Sequence, residues 1–201
     1  MHDNRMTTET LNIDKGQCLT DVLPAIPTNT IFDKTITGCG ATHSEIVNAA
    51  RHSIIIEPNI PVILGKKADH PFLFAVYEGI TKEDVKAYLA GEHDGYRKII
   101  TTPEGFDKKV LPAMHELEIP VYKDYFLLFD ECEKAIQDVG YRGDIYLPVE
   151  DFFKFENKAM VSATPIIPSD PRFEENGFRI LKLVPTYDSR IELTLCMTNN
   201  T

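Results

Sequence analysis

Two places in this 201-residue chain bring together residue types that could do chemistry. The first is Thr35-Ile-Thr-Gly-Cys-Gly-Ala-Thr42, which follows a short apolar run and opens an amphipathic one. Gly38 and Gly40, on either side of Cys39, would let successive backbone N–H groups wrap phosphate oxygens. Thr42 falls where the pattern G-x-x-x-x-G-K-[ST] has its Mg²⁺-binding hydroxyl. Thr35 stands in place of the first glycine and Ala41 in place of the lysine. A plain glycine turn would have the same composition.

The second place is Leu127-Leu-Phe-Asp-Glu-Cys-Glu133, an apolar strand ending in adjacent carboxylates. An acid at such a point can hold a metal, and its neighbour can orient or deprotonate an attacking water. Asp130 would take the first role and Glu131 the second. The same acids could instead stabilise the start of a helix. Three further strand ends carry small polar turns: Val161-Ser-Ala-Thr-Pro165, Ile54-Ile-Ile-Glu-Pro-Asn59 and Ile99-Ile-Thr-Thr-Pro-Glu-Gly-Phe106. Ser162 and Thr164 are placed to hydrogen-bond the acidic pair. Pro58, Asn59, Thr102 and Pro103 lie in turns that could set amides and hydroxyls along a phosphate backbone, although strand-to-helix turns have the same residues.

The elements that must position these groups alternate. Apolar runs without strict alternation, as in strands buried on both faces, are read at Thr30–Asp33, His52–Glu57, Phe72–Tyr77, Lys98–Thr101, Tyr125–Phe129, Ala159–Ser162 and Phe178–Leu183. Arg190–Cys196 alternates more cleanly and reads as an edge strand or an exit to another domain. Helices fit at Ala41–Ala50, after a Thr81/Asp84 cap, and at Glu104–Leu117, where Pro112 should impose a kink. This order predicts an α/β fold: a mostly parallel sheet with helices on both faces. Residues 1–20 are polar and read as a loose lead-in, and 21–201 as a single domain.

Thirty-one acids against 21 bases give a net charge of −10, which argues against a broad basic footprint but leaves room for a narrow strip. Four scattered cysteines with no C-x-x-C spacing suggest a reduced, cytoplasmic chain without a zinc site. No apolar run approaches the roughly 20 residues needed to span a bilayer, so no membrane partner is expected.

Taken together and in order, TGCGAT, IIIEPN, ITTPEGF, LLFDECE and VSATP resemble motifs I, Ia, Ib, II and III of superfamily-2, DEAD-like helicases. The resemblance runs over roughly residues 28–185 and implies the N-terminal RecA-like motor domain, a P-loop three-layer sandwich. It implies Mg²⁺ and ATP as cofactors, bound by Gly38, Cys39, Gly40, Ala41 and Thr42 with Asp130, while Glu131 handles water. Ser162 and Thr164 would couple the site to movement. Pro58, Asn59, Thr102 and Pro103 would touch a strand of DNA or RNA. Ala41 departs from the pattern, since the family has a lysine there. Its absence implies weak or no hydrolysis, and a lysine returned to position 41 is expected to tighten binding. Lys34 lies just before the loop and could reach in. The family also needs a second RecA-like domain, and nothing after Thr164 resembles one. The chain therefore reads as the N-terminal part of a longer protein that works with that domain or with a partner protein. The alternative is an interaction module that kept the fold and lost catalysis.

Overall fold

The central strands of this chain bury both faces, and the computed structural model shows what covers them. It describes residues 6–36, 38–132, 149–164, 168 and 170–188. Eight strands form one sheet: β1 (Thr8–Ile13), β2 (Thr30–Asp33), β3 (His52–Ile56), β4 (Phe74–Val76), β5 (Lys98–Thr101), β6 (Tyr125–Phe129), β7 (Asn157–Ser162) and β8 (Arg179–Pro185). Their order across the sheet is β1-β8-β2-β7-β6-β3-β5-β4, and all seven pairings are parallel. Parallel neighbours require crossovers, which is why helical segments intervene along the sequence.

Successive side chains of a strand point to opposite faces, and here both faces are dry. On β3, Ile54 and Ile56 enter one apolar cluster while Ile55 enters the other; on β6, Leu127 and Phe129 oppose Phe126 and Leu128. The first cluster is closed by Val85 and Leu89 of the helix Lys82–Ala90 and by Phe106, Val110 and Met114. The second is closed by Leu19 of α1 (Leu19–Val22), by Ala41 and Ile46 of α2 (Ala41–Val47), and by Ile63 of α3 (Ile60–Asp69). Helices therefore cover both faces, giving the three-layer α/β architecture expected from the sequence.

Several local readings change. Residues 1–20 were expected to be a loose lead-in, but Thr8–Ile13 form a strand paired along its length with β8. Only its last residue, Ile13, is buried, so its sequence lacks the apolar run that marks a central strand. Helix α2 stops at Val47 rather than Ala50. The Thr81/Asp84 cap is present, each partner serving the other's backbone. The stretch expected to be one kinked helix is Pro103–Gly105, a π-turn at Phe106–Val110, then Leu111–Glu116. Pro112 has no N–H to give to the preceding turn, and the wider π-turn absorbs that loss. Thr37, Glu133, Pro165 and the strand read at Arg190–Cys196 lie outside the described residues.

Candidate nucleotide site

The loop after β2 is held in an unusual backbone conformation. Gly38 and Gly40 have φ of 75° and 88°, values that side chains resist, and a Cβ added at either would meet nothing within 4 Å. The glycines thus provide backbone shape on an open side of the loop. Thr35 is also left-handed, with φ 31°, and its hydroxyl donates to the Leu183 carbonyl, tying the loop's start to β8. At the other end the Cys39 carbonyl accepts from Leu19 N–H at 2.9 Å.

Thr42 lies in the first turn of α2 and is buried. Its hydroxyl donates to Oδ2 of Asp130, the residue that follows β6. The other carboxylate oxygen, Oδ1, accepts from Lys34 Nζ at 3.1 Å and from Glu131 N–H at 2.9 Å. Lys34 also stands 3.8 Å from Glu131 Oε1. Glu131 has φ 48°, a strained value for a non-glycine residue of the kind that gathers at functional sites. The turn is stabilised by Asp130 bonding its neighbour's amide. The glycine loop and the acidic pair therefore meet at the carboxyl ends of the strands, where open α/β sheets place their ligands. They do not come from adjacent strands, because β7 lies between β2 and β6.

That intervening strand ends at Ser162. Its carbonyl accepts from Lys34 N–H at 2.9 Å. Its hydroxyl donates to the Thr164 carbonyl at 2.5 Å and accepts from Thr164 N–H at 3.0 Å. Ser162 and Thr164 thus close their own turn, and the expected side-chain bond from them to the acidic pair is replaced by the backbone contact to Lys34. Pro58 and Asn59 follow β3, and Thr102 and Pro103 follow β5, on the same sheet end. Thr102 caps a helix by accepting from Gly105 N–H, and Asn59 is the residue before α3. Thr102 and Asn59 thus already have local tasks in their turns, Asn59 by donating to Glu57 Oε1.

No protein-family model matches the sequence, and no curated protein matches it. Among solved structures the chain is similar to the Pyrococcus furiosus Hef helicase domain, at 13% identity and a TM-score of 0.46. The alignment covers 90% of this chain and 35% of that one, so the chain spans about a third of that structure's length.

Electrostatics add one residue that the sequence reading did not single out. Glu57, one position past β3, is 1% exposed. Burial pushes its carboxyl up to about 7, Asp130 and Glu131 push the same way, and hydrogen bonds from Asn59 offset part of the rise. Its signature in the sequence is the same as that of Asp130, an acid directly after three large apolar residues. Burial pulls the Lys34 ammonium down, but its charge attraction and hydrogen bond to Asp130, with smaller contributions from Glu131 and Cys39, together hold it above its ordinary value. Burial raises the Cys39 thiol.

A buried ionic cluster fixes α2 behind the site. Glu45, fully buried, accepts from Arg51 Nε at 3.0 Å and from the Ser53 hydroxyl at 2.5 Å, and stands 3.6 Å from Lys98 Nζ. The Arg51 guanidinium carbon lies over Phe126, 3.4 Å from the ring centre. These contacts tie the helix carrying Thr42 to β3, β5 and β6.

Among the described residues, no group of three or more His, Cys, Asp or Glu side chains is placed to hold a metal. Mg²⁺ is ordinarily held by one or two carboxylates with substrate phosphates and water completing the shell. The Thr42 hydroxyl and Asp130 carboxylate already converge, and this donor pair fits such an ion.

Proposed function

We propose that this chain is a nucleotide-binding domain of the helicase type, which holds Mg-nucleotide between the Gly38–Thr42 loop and the Asp130–Glu131 pair and hydrolyses it weakly or not at all on its own. The observation that carries the reading is the Thr42–Asp130 hydrogen bond, which joins the end of a glycine loop to an acidic strand end 88 residues away in sequence. A bound Mg²⁺ would supply charge neutralisation for phosphate. Thr42 and Asp130 would hold it, the amides around Gly38, Cys39 and Gly40 would face phosphate oxygens, and Glu131 would orient water. Ala41 offers no ammonium, and a charge-assisted contact of that kind contributes about 1.5–3 kcal/mol. Turnover would then need groups from a second RecA-like domain or a partner protein. The turns at Pro58–Asn59 and Thr102–Pro103 would face a strand of DNA or RNA.

One observation favours the runner-up, a catalytically inactive interaction module. Asp130 is saturated by Thr42, Lys34 and the Glu131 amide, so its buried charge is satisfied without a metal. Calorimetric titration with Mg-ATP and Mg-ADP, combined with a phosphate-release assay, separates the two. Weak binding that Asp130→Asn abolishes supports the nucleotide site. Absence of binding supports the module, and brisk turnover unaffected by Asp130→Asn would place the active site elsewhere.

A further inference from the structure

The geometry points to Lys34 as an exchangeable counter-ion: it neutralises Asp130 until a divalent cation takes that carboxylate, and then carries its ammonium to the phosphates that arrive with the metal. The inference rests on the nucleotide reading above and assigns the charge that Ala41 does not provide.

Three observations carry it. Lys34 is anchored at the point where the relevant elements converge. Its N–H is bonded to Ser162 of β7, its ammonium is 3.1 Å from Asp130 after β6, and the glycine loop begins at its own carbonyl end. Second, position 41 cannot offer a charge in the same direction without rearrangement. Ala41 is 4% exposed and belongs to the apolar cluster that includes Cys39, Ile46 and Ile63. Third, Lys34 and a metal would compete for one atom group. Lys34 uses Oδ1 and Thr42 uses Oδ2 of the carboxylate that would hold Mg²⁺. Two cations on one carboxylate repel each other, and a divalent ion outcompetes a single ammonium there by charge.

The released ammonium has a reason to stay near. Its backbone is fixed by the Ser162 bond, and its four-carbon stem can swing while Nζ remains a point donor for phosphate oxygens. Two carboxylates, Asp130 at 3.1 Å and Glu131 at 3.8 Å, face this one lysine. The site is therefore short of positive charge, which suits a metal–phosphate complex better than free phosphate.

The test compares three proteins and one labelling reaction. Calorimetric titration of wild type, Lys34→Gln and Lys34→Arg uses Mg-ATP, with adenosine as the phosphate-free control. Gln can still donate to Asp130 and so keeps a partner for the buried carboxylate. Lys34→Gln is expected to lose roughly tenfold to a hundredfold affinity for Mg-ATP and none for adenosine, while Lys34→Arg stays near wild type. Wild-type affinity for Mg-ATP in Lys34→Gln overturns the proposal and leaves the nucleotide site standing. No Mg-ATP binding by wild type overturns both. Should Lys34→Gln fail to fold, the wild-type protein decides. An ATP derivative acylated on its γ-phosphate transfers the acyl group to a deprotonated lysine amine touching that phosphate, forming an amide as the acyl–phosphate bond breaks, with ATP leaving and the displaced amine proton passing to solvent. Mass spectrometry is expected to find the label on Lys34, suppressed by excess Mg-ATP. Mg-ATP-sensitive labelling of other lysines with Lys34 unmodified overturns the assignment.

Discussion

Replacing Glu57 by Gln should stabilise the protein at neutral and alkaline pH and do little in acid. The carboxyl ordinarily titrates at 4.5 and is held at about 7 in the fold, chiefly because it is buried. Its Oε1 accepts from both Asn59 N–H and Asn59 Nδ2, each at 2.8 Å, and a Gln carbonyl can accept the same two bonds. The substitution therefore removes the charge while retaining the acceptor. A carboxyl raised on folding favours the folded state only while it is protonated. Below its unfolded value it contributes fully, and that contribution is lost as pH climbs through the folded value. Each tenfold difference in proton affinity corresponds to about 1.4 kcal/mol, so ionised Glu57 costs on the order of 3 kcal/mol at about pH 8 and about 1 kcal/mol at about pH 5. Urea unfolding of wild type and Glu57→Gln at those two pH values measures the difference directly. A gain near 3 kcal/mol that shrinks by about 2 kcal/mol in acid is the expected result. An equal effect at both pH values, or a loss at about pH 8, would refute the reasoning.

Three further outcomes are expected. Glu45→Ala leaves the charges of Arg51 and Lys98 without their shared buried partner, and should cost about 3–5 kcal/mol in urea unfolding; a loss below about 1 kcal/mol contradicts that role. Gly40→Val forces a branched side chain into φ 88°, a conformation costing about 1–2 kcal/mol, whereas Gly40→Asn should be milder. Since a Cβ there meets no neighbour, comparable melting temperatures for Gly40→Val and wild type would show that the loop relaxes. Ala41→Lys, which the sequence alone suggests as a gain in binding, should instead cost about 1–3 kcal/mol by overfilling a packed site, with no tighter Mg-ATP binding by calorimetry.

The sequence was readable where a local pattern has a single physical meaning. Apolar runs such as Ile54–Ile56 and Leu127–Phe129 are strands because both faces are covered, and glycines flanking Cys39 mark a loop whose backbone most residues avoid. The Thr81/Asp84 cap was legible for the same reason, since both partners lie within one turn. Features built from distant residues were not. Nothing near β2 or β6 announces that β7, later in the chain, will separate them. The ionic cluster around Glu45 draws on residues from α2 to β5, and the α3 helix was hidden because the turn read at Pro58 and Asn59 is followed at once by Pro61, although Pro fits the first turn of a helix. Glu57 was visible as an acid at a strand end, but its unusual proton affinity comes chiefly from burial that only the folded chain provides, with Asp130 and Glu131, 73 and 74 residues further on, adding to it.

The position of β7 gives the site a ruler made of backbone. Two interstrand spacings of roughly 4.8 Å set the gap between the strand feeding the loop and the strand feeding the acids at about 10 Å. Main-chain ladders on both sides of β7 fix that width, so side-chain repacking in the core should leave it unchanged. A slip of one residue in β7 would act differently. It would carry Ser162 about 3.3 Å along the strand direction, withdraw the carbonyl that anchors Lys34, and exchange which of its side chains face each apolar cluster. Tolerance to substitution and intolerance to insertion in this strand are thus two results of the same geometry.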